Sequence, residues 1–313
     1  MRQGARIFAF LLFLTIGATT SNAQAPRLTV NCDKKDTIHE TLRFLALTNP
    51  QGPNTVVVSG NCKENLLIQS MDRLTLITKK GATITDRSNG ASAVVDIEDS
   101  RGVTLQGFTI NGGGAGVNCG ASSVCYLTGN TVQDVLGQGV GVANGSQAHL
   151  ESNVIQNNSF RGATVGDGAQ MFSSNDIFQN NGAQGVAVTF AAYFESSNSS
   201  FLNNAVGVEA SANSTIRLGF STITGSVGNG TTLLGSAAAV FQGTTVTANG
   251  GDGVYLEDGS FAGFVAGSTV TDNLSGTDVN CGPQSPATHF VANTGGTTNC
   301  SEAANAAKPV SMK

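Results

Sequence analysis

Apolar and polar residues alternate along the chain in a pattern that repeats about every 23 residues. Glycine marks the repeat most strictly. The glycine column steps by 23 residues six times and by 22 once, and it comprises Gly116, Gly139, Gly162, Gly185, Gly207, Gly230, Gly253 and Gly276. A period of this length over seven steps predicts a solenoid built from stacked coils.

Two apolar columns move in register with the glycines. The first comprises Val132, Ile155, Phe178, Phe201, Ile223, Val246 and Val270. The second varies in spacing by one residue and comprises Leu127, Leu150, Phe172, Phe194, Leu218, Phe241 and Phe264. Because the residues between them alternate apolar and polar, we expect each coil to hold about three short strands separated by Gly- and Asn-rich corners.

The corners and the first coil have signals of their own. Asparagine follows the first apolar column by three residues, at Asn158, Asn181, Asn204, Asn249 and Asn273, with Ser226 interrupting. We expect these residues to adopt the left-handed corner conformation and to hydrogen-bond from coil to coil. Residues 37–47 predict a short amphipathic helix that covers the first coil, and residues 55–58 predict its strand.

One outer surface group carries candidate chemistry. If the second apolar column points inward, its chain neighbours point outward. The preceding neighbours are Tyr126, His149, Met171, Tyr193 and Arg217. The following neighbours are Thr128, Glu151, Ser173, Glu195 and Gly219. Stacked on adjacent coils, these residues predict a ridge of rings flanked by two carboxylates and an arginine.

This ridge has a functional interpretation and a structural one. Rings and carboxylates suit a neutral glycan, so Tyr126, His149, Tyr193 and Arg217 are candidate ligand-binding residues. If the protein is an enzyme, Glu151, Glu195 and His149 are the catalytic candidates, because two coils separate the carboxylates by about 10 Å, near the inverting-glycosidase range. Alternatively, aromatic residues and threonine simply favour strands, and glutamates keep a sheet face hydrated.

The repeat also resembles that of a known superfamily. Residues 174–186 read Ser-Asn-Asp-Ile-Phe-Gln-Asn-Asn-Gly-Ala-Gln-Gly-Val. This pattern resembles the parallel β-helix repeat of the pectate-lyase-like superfamily, and residues 37–40 with 58–66 resemble its capping helix and first coil. The resemblance implies an all-β, right-handed parallel β-helix of roughly ten coils with a short N-terminal capping helix. The superfamily includes lyases, glycosidases, esterases, epimerases, adhesins and structural repeats, so it leaves function open.

The ends of the chain suggest export. Arg2 and Arg6 precede an apolar run at 7–16 that is too short to span a bilayer, and Ser21-Asn22-Ala23 offers a cleavage site. We therefore expect a signal peptide at 1–23, a β-helix domain at 24–300 and a flexible tail at 301–313, in a secreted or periplasmic protein without a membrane span.

Six cysteines follow the expected leader, and an even number in an exported chain favours disulfides. Proximity along the chain favours Cys32–Cys62, Cys119–Cys125 and Cys281–Cys300, although six cysteines allow 15 pairings. Their spacing matches no zinc site, so we expect no metal and no cofactor. We also interpret Asp96, Glu98 and Asp99 as solvated turn residues, since they lack the spacing of a calcium loop.

Charge narrows the functional classes. Without Arg2 and Arg6, 14 basic residues face 21 acidic ones, and between residues 102 and 307 only Arg161 and Arg217 are basic. An acidic body repels nucleic acid and anionic lipid, and it lacks the cations that a lyase needs around a uronate.

No catalytic motif of the polygalacturonases, pectate lyases or serine hydrolases occurs in the sequence. We therefore expect a non-catalytic protein of adhesion, surface structure or glycan contact. The alternative is a polysaccharide-degrading enzyme acting on a cell-wall or extracellular glycan. A second alternative is binding to ice or another surface through the Thr-x-Thr triplets at 222–224, 245–247 and 269–271.

Overall fold

The computed structural model describes residues 27–265, 267–274, 277–282, 289–291 and 295–300. The expected signal peptide at 1–23 and the expected tail at 301–313 lie outside the described residues. Between them the chain forms a right-handed parallel β-helix of about ten coils, as the sequence predicts.

Three parallel sheets run the length of the solenoid, and each coil contributes one strand to each sheet. Sheet 1 contains Arg27–Asn31, Asn54–Ser59, Leu74–Thr78, Arg101–Gln106, Val124–Thr128, Gln147–Glu151, Gln170–Ser174, Tyr193–Ser197, Thr215–Gly219, Ala238–Gln242, Phe261–Val265 and His289–Val291. Sheet 2 contains Asn61–Lys63, Thr83–Thr85, Thr109–Asn111, Thr131–Gln133, Val154–Gln156, Ile177–Gln179, Ser200–Leu202, Thr222–Thr224, Thr245–Thr247 and Thr269–Thr271. Sheet 3 contains Leu66–Gln69, Ala93–Glu98, Ala115–Cys119, Val140–Val142, Ala163–Val165, Gln184–Val188, Val206–Ala210, Thr231–Leu233, Val254–Leu256 and Val279–Cys281.

The first apolar column fills the interior as predicted, and all of its members are buried. The second column is wrong at two coils. Phe194 is buried but lies in the neighbouring inward row, in register with Met171 and Ile216, while Ser196 holds the column position beside Leu218. Phe172 faces outward in register with His149, whereas Met171 is fully buried and pairs with Phe194. Ser173 takes the inward position that the constant period assigns, and its hydroxyl is satisfied by Asp176 at 2.6 Å. The prediction failed because it followed the apolar residue instead of the period.

The glycine column has a steric cause. A Cβ atom on Gly185 would lie 2.6 Å from the carbonyl oxygen of Gly207 and 2.8 Å from Nδ2 of Asn204. The other described members of the glycine column, from Gly116 to Gly253, face the next coil's backbone carbonyl at similar distances. Any side chain there would therefore push neighbouring coils apart.

The predicted asparagine ladder is present, with one correction. Nδ2 of Asn158 donates to Oδ1 of Asn181, and Nδ2 of Asn181 donates to Oδ1 of Asn204, both at 2.9 Å. The left-handed conformation, however, belongs to the residue before each ladder member, namely Asn157, Asn180 and Asn203. The corner thus uses one residue to turn and the next to bind the adjacent coil.

The N-terminal cap also agrees with the prediction. A 3₁₀ turn at Cys32–Lys34 leads to helix α1 at Ile38–Thr48, whose Ile38, Leu42 and Leu45 are buried. Glu64 accepts hydrogen bonds from the backbone N–H groups of Ile38 and His39, so its carboxylate satisfies the helix N-terminus.

The three preferred disulfides, Cys32–Cys62, Cys119–Cys125 and Cys281–Cys300, are all formed. The first joins the 3₁₀ turn to sheet 2, the second lies within one coil, and the third ties residue 300 back to sheet 3. Helix α1, with 11 residues, is much shorter than a bilayer-spanning helix, and no candidate span occurs among the described residues.

Candidate functional site

The ridge predicted on sheet 1 exists, with a changed membership. Tyr126, His149, Phe172, Glu195 and Arg217 occupy one outward row on successive coils. Tyr193 belongs to the neighbouring row, in register with Gln170 and Thr215. The structure thus replaces Met171 by Phe172 and moves Tyr193 to the flank of the ridge.

The rings of Tyr126, His149 and Phe172 form a face-to-face stack, which we name the ring ladder. Ring centroids are 5.0 Å apart between Tyr126 and His149 and 5.1 Å apart between His149 and Phe172, with interplanar angles of 11° and 14°. Each inner ring face is therefore covered by the next ring, and the ladder presents mainly ring edges to solvent. Stacking of a sugar needs an open ring face, so the ladder favours strand-to-strand cohesion over glycan binding.

Polar groups continue the row beyond the ring ladder. The hydroxyl of Tyr193 donates to Oε2 of Glu195 at 2.6 Å. Burial, followed by this hydrogen bond and the charge of Glu195, raises the pKa of Tyr193 to about 12, against the opposing effect of Arg217. Tyr193 therefore remains a neutral hydrogen-bond donor at any physiological pH, and Glu195 is engaged within its own face.

The catalytic candidates come together in one shallow depression. Its volume is about 320 Å³, and its lining includes His149, Glu151, Phe172 and Glu195. Glu151 lies one row away from Glu195, in register with Thr128 and Ser174, so the two carboxylates do not share a row. Burial lowers the pKa of His149, which favours the neutral imidazole.

A larger concave surface lies on sheet 3, and the sequence did not predict it. We name it the sheet-3 cleft; its volume is about 490 Å³, within the range of small-ligand sites. Its lining includes Asp96, Glu98, Asn118, Gln138, Asn144, Arg161, Thr164, Asp167 and Phe190. Most of these residues are polar, and they come from five consecutive coils and the turns beside them.

Small outward residues create the floor of the cleft. Asp96, Asn118, Gly141 and Thr164 stand in register on adjacent strands of sheet 3. A Cβ atom on Gly141 would lie 2.7 Å from Oδ1 of Asn118 and 3.2 Å from Nε2 of Gln138. The two amide side chains therefore lean over the glycine and line the bottom of the cleft with hydrogen-bonding groups.

Corner residues form the walls. On one side the guanidinium of Arg161 packs over the ring of Phe160 at 4.5 Å, and its Nε donates to Oε1 of Gln184 at 2.9 Å. On the other side Asp167 and Phe190 sit at left-handed positions of the turns that lead back to sheet 1. Phe190 is 62% exposed, so its ring face is open at the rim, unlike those of the ring ladder.

One end of the cleft is acidic. Asp96 is half-buried on the strand Ala93–Glu98, so the interpretation of Asp96 and Glu98 as turn residues was wrong. Burial, with a smaller contribution from the charge of Glu98, raises the pKa of Asp96. Within the described part of the chain, the carboxylate of Asp96 has no hydrogen-bond partner, whereas Glu98 accepts from Gln69 at 3.2 Å. Asp96 is thus available to a ligand.

Two further candidates take their places in the fold. Cys32, Cys62 and Glu64 lie within metal-ligand distance of one another, but the sulfurs form a disulfide and Glu64 caps helix α1. The Thr-x-Thr triplets lie on the outer face of sheet 2. In the row of Thr224, a hydrogen-bonded amide stack lies between Thr224 and Thr85; it comprises Gln133, Gln156 and Gln179. Ice or surface binding by this face stays a prediction.

Comparison with known proteins identifies the architecture and leaves the activity open. The model of the right-handed β-helix region matches residues 54–193 and 165–294. Among curated proteins, none matches the sequence.

Solved structures with the same architecture act on polysaccharides. The A-module of a mannuronan C-5 epimerase from Azotobacter vinelandii has a TM-score of 0.54 and 14% identity, covering 87% of this chain and 96% of that one. A pectate lyase has a TM-score of 0.58 and 10% identity, covering 79% and 78%. A periplasmic alginate epimerase has a TM-score of 0.57 and 12% identity, covering 86% and 83%. At such identities the likeness shows the fold alone.

Proposed function

The chain belongs to the right-handed β-helix family, and from that premise we propose that it binds a polysaccharide chain in the sheet-3 cleft. The family's fold hosts many activities, so the proposal rests on the site. The observation that carries it is a cleft of about 490 Å³ whose floor and walls offer amides, carboxylates, a guanidinium and an open aromatic face.

The cleft suits a sugar chain better than the ring ladder does. Asn118 and Gln138 can donate to and accept from sugar hydroxyls, and Phe190 offers an open ring face for a sugar ring. The cleft also runs across coils about 4.8 Å apart, so a linear polymer lying along the solenoid would meet a polar side chain at each of the coils that carry Asp96, Asn118, Gln138 and Thr164. The ring ladder covers its own faces and offers no such series.

The proposal includes a location outside the cytoplasm. Three disulfides in a described chain without a free cysteine support an oxidising compartment. The expected signal peptide at 1–23 supplies the route, and extracellular or periplasmic polysaccharide is the matching partner.

A second candidate function is hydrolysis of the bound glycan. Asp96 and Glu98 are two residues apart on one strand, which places their backbones about 6.6 Å apart. A carboxyl group with a raised pKa beside a second carboxylate is the arrangement of a glycosidase acid and its partner. Asp96 would donate the proton, and Glu98 would stabilise charge or activate water.

One screen tests both functions. The mature chain is offered plant, bacterial and algal polysaccharides, and binding and product release are scored together. Thr164→Trp, which fills the cleft floor, should weaken binding at least tenfold, whereas Thr222→Trp on sheet 2 and the double variant Tyr126→Ala/Tyr193→Ala should leave it unchanged.

Other outcomes redirect the assignment. Binding lost only in the tyrosine double variant would move the site to sheet 1. Products that disappear in Asp96→Asn would establish hydrolysis in the cleft, and products that disappear only in Glu151→Gln or Glu195→Gln would assign it to the sheet-1 depression. A chain that binds no glycan would favour an adhesive or structural repeat.

A further inference from the structure

The charges around the sheet-3 cleft are unbalanced. Asp96, Glu98 and Asp167 contribute three carboxylates to the lining, and Arg161 contributes its one guanidinium. Arg161 already donates through Nε to Gln184, whose Nε2 in turn donates to Oε2 of Glu209 at 2.9 Å. The guanidinium is thereby tied into a chain of contacts that ends on a fourth carboxylate, just beyond the cleft.

The body around the cleft does not offset this charge. Arg161 and Arg217 are the only basic residues between positions 102 and 307, and Arg217 lies on sheet 1. A concave surface with excess carboxylates concentrates cations and repels anions. A uronate polymer would therefore bring like charge to a site with a single guanidinium to receive it.

We infer that the cleft selects polysaccharides whose sugars carry ammonium groups, the chemistry of a deacetylated amino-sugar polymer. The inference rests on the proposed function and names its ligand class. Ammonium groups would bind the carboxylates of Asp96 and Glu98 at one end and of Asp167 at the wall, through charge-assisted hydrogen bonds. Asn118 and Gln138 would pair with hydroxyls on the same chain.

The geometry favours this ligand over a neutral chain. A neutral sugar would leave the half-buried Asp96 carboxylate with only hydroxyl donors, whereas an ammonium group supplies both a donor and the opposite charge. An N-acetyl group in the same place removes that charge and adds bulk. Discrimination should therefore follow the charge of the sugar more than its hydroxyl pattern.

Isothermal titration calorimetry with matched oligosaccharides tests the inference. The probes are a β-1,4-linked glucosamine hexamer, its fully N-acetylated form, a β-1,4-glucose hexamer and a galacturonate hexamer, at pH 6 and low ionic strength. The glucosamine hexamer should bind at least tenfold more tightly than each of the other three. Raising the salt to 0.5 M should reduce that preference.

Variants identify the groups responsible. Glu98→Gln combined with Asp167→Asn should bring the ratio between the affinities for the glucosamine and glucose hexamers close to one, because it removes two of the three carboxylates that the ammonium groups would contact. Asp272→Asn removes the same type of charge from an exposed corner far along the solenoid, and it should leave the ratio unchanged.

The possible failures are distinguishable. Equal binding of the glucosamine, acetylated and glucose hexamers would overturn the inference and leave glycan binding intact. Tighter binding of the galacturonate hexamer would overturn it and assign Arg161 as the selecting group. If no hexamer and no polysaccharide binds, the proposed function fails together with the inference.

Discussion

At the residue scale, the buried Asp176 both hydrogen-bonds to the adjacent coil and carries a titratable carboxyl group. Asp176 continues the row of Asn130 and Asn153 at the corner between sheets 1 and 2 and is 1% exposed. Its Oδ1 accepts from the backbone N–H and Nδ2 of Asn153, and its Oδ2 accepts from Ser173 and the Ser174 backbone. Burial nevertheless raises the pKa of Asp176 against these lowering hydrogen bonds.

Because the pKa of Asp176 is raised, the free energy of unfolding should depend on pH. The folded chain holds the proton of Asp176 more tightly than the unfolded chain, where the group titrates near 3.8. The contribution of Asp176 to stability is therefore fully present below pH 3.8, and it is lost as the pH rises through the pKa that the group has in the folded chain. Asp176→Asn removes that loss, so its stability relative to the wild type should improve between pH 4 and pH 7.

Urea unfolding of the wild type and Asp176→Asn at pH 4 and at pH 7 tests this prediction. Asparagine pairs less well with the Ser174 N–H, but that penalty is the same at both pH values. Asp272→Asn, which removes a carboxylate from an exposed corner, is the matched control. If the stability difference between Asp176→Asn and the wild type is the same at pH 4 and pH 7, the pKa of the buried carboxyl is not raised.

At the element scale, neighbouring coils are held together by contacts that recur at the corner between sheets 2 and 3. The glycine column lets the backbone of one coil approach the next, and the asparagine ladder binds the coils at that approach. Gly185→Ala should therefore destabilise the protein by about 2–3 kcal/mol, because its Cβ would overlap the Gly207 carbonyl and crowd Asn204.

A matched glycine serves as control. A Cβ atom on Gly219 would lie 3.7 Å from the Ser196 carbonyl, an ordinary contact, so Gly219→Ala should leave the stability unchanged or raise it by up to about 1 kcal/mol. Thermal unfolding of both variants decides the matter. Equal effects would mean that the glycine column reflects turn preference alone.

Sequence periodicity predicted the secondary-structure elements better than it predicted which side chains point inward and which point outward. The repeat, the helix, the strands and the disulfide pairs follow from patterns that are local or strictly periodic. Phe172 was misplaced because hydrophobicity was followed where the period assigned Ser173 inward. The sheet-3 cleft escaped prediction because it depends on Gly141 being small and on Asn118 and Gln138 leaning over it, which no linear pattern encodes.

At the scale of the whole molecule, stability is shared between neighbouring coils. Each strand pairs only with strands one coil away, so a defect at one end should stay local. The last described coil depends on the Cys281–Cys300 disulfide and on the Val279 N–H, which donates to the Thr297 carbonyl at 3.0 Å.

Removing the Cys281–Cys300 disulfide tests whether a defect in the last coil stays local. In the double variant Cys281→Ser/Cys300→Ser, amide exchange at Val279 should accelerate about a hundredfold, the equivalent of about 3 kcal/mol for a loop of 19 residues. Exchange at Val186 and Val208, in central coils, should change less than twofold. Acceleration at all three amides would show that the coils unfold as one unit.

The single 22-residue step in the glycine column was absorbed without disturbing the fold. Residues 181 and 204 keep the 23-residue spacing in the asparagine ladder, whereas Gln184 pairs with Val206, so the missing residue falls in the corner between sheets 2 and 3. Corners therefore tolerate gains and losses that strands do not. A gene of this kind can evolve by duplicating or deleting whole coils. Each such change would lengthen or shorten the solenoid, and the outer faces of its three sheets, by one strand spacing.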